Sequence, residues 1–153
     1  MKIDRLYREP VDKSIDLLHR RYRPLRAWHR YEVQGMGHIP VSGRCLIVSH
    51  HSFATYDITL LATRVREVTG RVLRPLSDRA MFYFPVMGRY LRKIGSVPGN
   101  PVLGEELLES EELVLVAPGG MREALRPFTE RRKIVWETRK GFVRLAIKTW
   151  SSS

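Results

Sequence analysis

Short apolar runs that alternate with helix-period segments constrain the fold of this chain most strongly. Arg44–Val48, Val72–Leu76 and Leu113–Val116 each have the length and composition of a buried strand. Between the first two, apolar residues recur at i, i+3, i+4 and i+7 from Ile58, and Gly70 follows, which predicts a helix and its end. This alternation predicts an α/β fold with a mostly parallel sheet flanked by helices.

Weaker patterns complete the expected order of elements. Tyr31–Gln34 is predicted as a short strand, Met81–Lys93 as a helical patch and Gly95–Pro101 as a turn. A helix is expected around Leu107–Leu108, and a final helix carries Phe142. We divide the chain into residues 1–30 and a single domain over 31–153.

The N-terminal segment, residues 1–30, is basic and amphipathic. Val11–Val33 interleaves apolar residues with arginines and histidines, and Pro24 is expected to kink or split any helix there. Such a segment is compatible with a helix packed on the domain or with one lying among lipid headgroups. Both interpretations remain open.

The chain of 153 residues has 27 Lys+Arg against 16 Asp+Glu, a formal charge of +11. This field attracts lipid headgroups, coenzyme phosphates or nucleic acid, although a basic surface also occurs without any anionic partner. The cations are dispersed and form no recognised nucleic-acid motif, so no nucleic-acid partner is expected. An anionic membrane surface is the expected partner.

Metal, disulfide and membrane-spanning signals are weak. The single cysteine, Cys45, lies in an apolar run and is expected to be a buried structural thiol, while His19, His29 and His38 lack ligand-like spacing. We therefore expect neither a metal nor another cofactor. Met1–Arg5 is charged, and no apolar run approaches the roughly 18 residues of a spanning helix. We expect a peripheral or monotopic protein on the cytoplasmic face of a membrane.

Two histidines follow the first predicted strand. His51 is able to act as a general base if the carboxylate of Asp57 accepts its far ring N–H. Two alternatives compete: Asp57 caps the helix that follows it, and His50 is either a local packing residue or the reserve base.

Glycines follow the third predicted strand. Gly119 and Gly120 let backbone N–H groups approach an anion, and Arg122 offers paired donors to phosphate. The alternative is a structural turn before a solvated arginine. The carboxyl ends of parallel strands share one edge of a sheet, so this turn and the histidines are expected there together.

Several blocks resemble the glycerolipid acyltransferase superfamily, in the branch near diacylglycerol acyltransferases and phytyl ester synthases. Leu46–Asp57 resembles its first block, with a His51–Asp57 spacing one residue longer than the commonest form. Ala117–Leu125 resembles its third block, with Gly119 where a glutamate normally stands and Glu123 as the candidate replacement. The other similar stretches are Tyr31–Pro40, Ser77–Phe82, Ile94–Gly99 and Ile134–Ala146.

The resemblance implies a glycerol-3-phosphate acyltransferase-like fold, with 31–153 as the N-terminal portion of an acyltransferase domain whose C-terminal end is missing. It implies transfer of a fatty acyl group from acyl-CoA or acyl carrier protein to a hydroxyl of a glycerolipid or lysophospholipid. His51 and Asp57 would be catalytic, and Gly119–Gly120, Arg122 and Glu123 would bind substrate. The alternatives are an inactive membrane-bound fragment and a basic nucleic-acid-binding module.

Overall fold

The computed structural model describes residues 11–50, 56–125, 127–130, 133–134, 136 and 138–151. Its helices are α1 (Val11–Trp28), α2 (Tyr56–Thr69), α3 (Pro85–Lys93), α4 (Pro101–Glu109), α5 (Gly120–Ala124) and α6 (Gly141–Ser151). Its strands are β1 (Cys45–Val48), β2 (Leu73–Ser77), β3 (Val97–Pro98) and β4 (Leu113–Val116). Short 3₁₀ turns lie at Met36–His38, Arg79–Tyr83 and Phe128–Glu130.

The four described strands form one sheet in the order β1-β4-β2-β3, and every pair is parallel. Leu113 of β4 lies opposite Cys45 on one side and Leu73 on the other. β4 is buried along its whole length, as an inner strand covered on both faces should be. The predicted α/β fold with a parallel sheet and flanking helices is confirmed.

Successive residues of β4 face opposite sides of the sheet and join separate core clusters. Leu113 and Leu115 pack with residues of α2 and β2, whereas Val114 and Val116 pack with residues of α4 and α6. This division follows from the two-residue period of a strand. Truncation of a fully buried leucine such as Leu113 to alanine would cost about 2–5 kcal/mol of stability.

Two expectations about local structure were wrong. Tyr31–Gln34 forms a loop, in which Val33 packs against the core and Gly35, at φ +75°, leads into a 3₁₀ turn. The predicted turn at Gly95–Pro101 contains the short edge strand β3, which is too brief to give a sequence period.

Pro24, which was expected to kink or split this segment, does not split α1. The helix runs through it while packed on α2, and ion pairs join the two helices at Arg26–Glu67 (3.0 Å) and Asp16–Arg66 (3.2 Å). The packing of α1 on α2 offsets the loss of a helical hydrogen bond at proline.

Candidate active site

The loops after β1 and β4 meet at one edge of the sheet. Val48 and Val116, the last residues of these strands, are paired in register, and the N–H of Ser49 donates to the carbonyl of Val116 at 2.9 Å. The parallel pairing therefore places His50 beside the turn that begins at Pro118. This is the neighbourhood that the strand order predicts for functional groups in a parallel sheet.

A histidine–carboxylate contact joins the two loops. Nδ1 of His50 lies 2.9 Å from Oε1 of Glu123, whose side chain is fully buried, while the histidine side chain is 36% exposed. A buried carboxylate is stable only with hydrogen-bond donors, so the favoured tautomer has Nδ1–H of His50 donating to Glu123. This bond fixes the ring plane and leaves Nε2 as the nitrogen not committed to Glu123.

Glycine at position 119 makes room for the buried carboxylate. A Cβ on Gly119 would overlap with Cβ and Oε2 of Glu123, so no larger residue fits without movement. Gly120 has φ +53°, in the left-handed region that glycine adopts without steric cost. The two glycines therefore serve different purposes: Gly119 permits close packing, and Gly120 permits the backbone to turn into α5.

An arginine distant in sequence also holds this turn. Nη1 of Arg139 donates to the carbonyl of Pro118 at 3.1 Å and to that of Gly119 at 2.9 Å. Charge-assisted bonds of this kind hold a backbone segment firmly. Sequence reasoning did not assign Arg139 to the site, and its position in the family-like stretch Ile134–Ala146 was the only signal that pointed towards it.

Asp57 lies near the start of α2 but is not its N-cap, because the helix already begins at Tyr56. Oδ1 of Asp57 is buried and has no hydrogen-bond partner within the described part of the chain. A carboxylate in the first turn interacts favourably with the helix dipole. His51 falls in residues 51–55, outside the described residues, so the His51–Asp57 pairing stays a prediction.

Arg122 and Glu123 are adjacent in α5 and lie in different environments. Arg122 is exposed, whereas Glu123 is directed into the protein towards His50. Arg122 is therefore accessible to a ligand at the surface. The sequence predicted that both side chains bind substrate. Glu123 is buried in contact with His50, and direct substrate binding by either residue stays a prediction.

Two cavities adjoin the turn. The smaller, which we call the inner cavity, has a volume of about 70 Å³, and its mostly apolar wall joins the first turn of α2 at Ile58, the end of β2 at Ser77 and the turn residue Gly120. Met81 also lines it. The other cavity, of about 210 Å³, lies between Pro118 and α6. Apolar walls beside the polar loops suit a ligand that has both a reactive polar group and a hydrocarbon part.

The structure contains no cluster of three or more His, Cys, Asp or Glu side chains able to hold a metal ion, as far as its residues are described. Likewise, none of the described helices is both long and apolar enough to cross a membrane.

Comparison with known proteins identifies this class of α/β domain. Residues 30–152 match the Acyltransferase family, and the chain therefore belongs to that family. It is 36% identical over 120 residues to a Bos taurus protein named "DGAT1/2-independent enzyme synthesizing storage lipids" and 35% identical to the Homo sapiens protein of the same name. These alignments cover 78% of this chain and 36% and 37% of the relatives.

A bacterial relative shows similar coverage. An uncharacterized protein of Mycobacterium tuberculosis is 32% identical over 127 residues, which are 81% of this chain and 36% of that protein. The chain thus spans little more than a third of the length of the curated relatives it matches. No solved structure matches it significantly. The predicted resemblance to acyltransferases near the diacylglycerol-synthesising branch is confirmed.

Proposed function

We propose that this chain forms the catalytic part of an enzyme that transfers a fatty acyl group to a lipid hydroxyl. Membership of the Acyltransferase family and relatives named for storage-lipid synthesis support lipid acyl transfer. The observation that carries the proposal is the contact between His50 and Glu123, because it joins the histidine loop to the glycine turn at the carboxyl ends of β1 and β4. Acyl transfer needs a base and an anion-binding turn at one place.

The proposed donor is an acyl thioester, of coenzyme A or acyl carrier protein, and the acceptor is a glycerolipid or lysophospholipid. His51 removes the proton from the acceptor hydroxyl, whose oxygen attacks the thioester carbonyl. The tetrahedral intermediate expels the thiolate, which takes the proton from the imidazolium. Asp57 holds the histidine tautomer and balances the imidazolium charge during the step.

The glycine turn is the proposed substrate-binding element. Backbone N–H groups at Gly119–Gly120 and the guanidinium of Arg122 bind a phosphate of the donor or of a phosphorylated acceptor. Glu123 acts indirectly: it holds the side chain of His50, and His50 precedes His51 in the sequence. The buried carboxylate is therefore a positioning residue in this scheme, not a catalytic one.

An anionic membrane surface is the proposed place of action, because the acceptor lipids reside there. α1 supports this with arginines on its exposed side, such as Arg20, Arg21 and Arg23, and with Trp28, which is 79% exposed. Cations and an aromatic side chain on a helix suit a headgroup layer.

An acyl-transfer assay with a labelled acyl thioester and several lipid hydroxyl acceptors tests the function. We expect His51→Ala to lower turnover by about 10²–10⁴-fold, the usual contribution of a general base. Asp57→Asn should reduce it severely, and His50→Ala less. His38→Ala is the matched control, since that exposed ring hydrogen-bonds within its own turn, at the carbonyl of Gly35.

Near-native turnover of His51→Ala would show that the base assignment is wrong. Absence of turnover with every donor–acceptor pair would favour the alternative of an inactive membrane-bound fragment.

A further inference from the structure

Large apolar side chains are exposed around α3 and the 3₁₀ turn before it. Tyr83 and Val86 are each 83% exposed, Phe84 is 66% exposed and Met87 is 40% exposed. Four residues of this region, Phe84, Val86, Met87 and Tyr90, line an open apolar cavity of about 680 Å³ together with Met81. We call residues 79–93 the α3 surface. Contiguous exposed apolar groups of this kind mark interaction sites.

The outward orientation of these side chains is fixed by close packing. The N–H of Gly88 donates to the carbonyl of Phe84 at 2.7 Å, and a Cβ on Gly88 would lie 2.6 Å from the carbonyl oxygen of Phe82. Leu91, on the inner side of α3, is buried. The helix therefore sits tightly on the preceding turn and cannot rotate its apolar outer side into the core.

The charges of the α3 surface all have one sign. Arg79, Arg89, Arg92 and Lys93 lie within it, whereas no acidic residue occurs between Asp78 and Glu105. The neighbouring helix α1 adds further arginines and is linked to α3 by a hydrogen bond between the side chains of Tyr22 and Tyr90, which raises the pKa of Tyr22. Exposed apolar and aromatic groups together with cations match an anionic bilayer, which takes up the apolar groups and pairs with the cations.

The α3 surface also adjoins the candidate active site. Met81 lines both the open cavity of this surface and the inner cavity. Leu91 and Ile94 reach the inner cavity from the same helix region. The α3 surface thus borders the inner cavity, with Met81 as a shared part of the two walls.

We propose that the α3 surface docks on an anionic lipid bilayer and so holds the acceptor lipid next to the inner cavity. The inference rests on the proposed function for its lipid substrate, and it assigns to α3 a membrane contact that was proposed above for α1. Phe84 and Val86 are the inserted groups. Arg89 and Lys93 bind lipid phosphates beside them.

The test measures sedimentation with phosphatidylcholine vesicles, with and without phosphatidylglycerol. The double variant Phe84→Ser/Val86→Ser should bind the anionic vesicles at least about tenfold more weakly than the parent, because it removes the inserted area. Val41→Ser is the matched control: Val41 is 72% exposed but lies in the loop before β1, and its loss should leave binding unchanged. Raised salt should weaken parental binding.

A second measurement locates the contact directly. Phe84→Trp should show a blue-shifted emission and quenching by brominated lipid, while Val41→Trp should show neither, each compared with the parent chain and its 3 tryptophans. Because these variants add a reporter and remove no structural contact, they remain informative if the serine double variant folds poorly.

Some outcomes would overturn the proposal. One is unchanged vesicle binding by Phe84→Ser/Val86→Ser with loss of binding by Arg20→Gln/Arg21→Gln/Arg23→Gln, which would assign docking to α1 alone. Another is conversion of a dimer to a monomer by the serine variant without any loss of vesicle binding, which would make the surface a contact between copies. Vesicle binding needs no turnover, so failure of the acyl-transfer assay would leave this result interpretable.

Discussion

In α5 the carboxylate of Glu123 is fully buried, whereas on α3 the apolar side chain of Val86 is 83% exposed. The two regions thus depart in opposite ways from the usual distribution, in which carboxylates face water and valines pack inside. Neither departure contributes to closing the core clusters. The first is explained by an interaction, because Glu123 holds His50 at 2.9 Å. For Val86 we propose a partner outside the chain, the lipid bilayer.

The two regions also differ in the number of contacts that fix their conformation. The site turn is fixed by the absence of a Cβ at Gly119, by Arg139 on two carbonyls and by the bond from His50 to Glu123. The outer side of α3 is fixed mainly by the tight packing at Gly88. Substitutions in the site turn should therefore change stability and chemistry together, whereas those on α3 should change binding alone.

Within these two regions, the largest effect on stability is expected at Glu123. Glu123→Ala leaves a cavity and removes the acceptor of His50, and we expect it to lower the free energy of unfolding by about 2–4 kcal/mol. Glu123→Gln keeps an acceptor oxygen and should cost under about 1.5 kcal/mol. Urea denaturation measures both, with Glu109→Ala at the exposed end of α4 as the control. If Glu123→Ala were as stable as the parent protein, the burial of this carboxylate would contribute nothing to the stability of the fold.

A smaller effect is expected from the glycine that accommodates Glu123. Gly119→Ala forces the Glu123 side chain or the turn to move, and overpacking of this kind costs about 1–3 kcal/mol. Gly141→Ala is the matched control, because a Cβ there meets nothing within 4 Å. Thermal unfolding distinguishes the two variants. If Gly119→Ala were as stable as Gly141→Ala, the site turn would not be more tightly constrained than the outer side of α3.

Elements with a strong hydrophobic period were predictable from sequence. Three elements were confirmed within one or two residues: the strands at Arg44–Val48 and Leu113–Val116 and the helix from Ile58. Each has a clear apolar run or a helical period in the sequence. β3, with two residues, was not predictable. Tyr31–Gln34 has a strand-like composition but forms a loop, because packing of Val33 on the core decides its conformation.

The position of the candidate site was predictable, but its contacts were not. The expected parallel sheet placed the loops after β1 and β4 at one edge, and the parallel pairing of Val48 with Val116 agrees. The bond from His50 to Glu123 joins positions 73 residues apart, and Arg139 reaches Gly119 across 20. Such pairs depend on tertiary packing, which a single sequence does not reveal through local periodicity.

Arg122 allows a finer test of the site turn, because it is exposed beside the buried Glu123. If its guanidinium forms paired hydrogen bonds with a substrate phosphate, Arg122→Lys should raise KM by about 3–10-fold although the charge is kept. Arg144→Lys, at an exposed position of α6, is the control. Unchanged kinetics in Arg122→Lys and Arg122→Ala would favour the structural-turn alternative over phosphate binding.

The smallest effect is expected at Glu67, which links α2 to α1 through its ion pair with Arg26. Hydrogen bonds from Arg26 (3.0 Å) and Arg64 (2.6 Å) lower the pKa of Glu67 from 4.5 to about 2. A depressed folded-state pKa stabilises the fold above pH 4.5, and this contribution is lost as pH falls from about 4.5 to about 2.

Glu67→Gln removes this contribution. Because the carboxylate is partly exposed, the loss should be about 0.2–1 kcal/mol near pH 7 and should vanish near pH 2. Urea denaturation at several pH values measures it, with Glu109→Gln as the exposed control. A parent and variant with parallel stability–pH curves through this window would show that the ion pairs contribute nothing to the docking of α1. In that case the orientation of the α3 surface would depend on the packing at Gly88 and not on the ion pairs of α1.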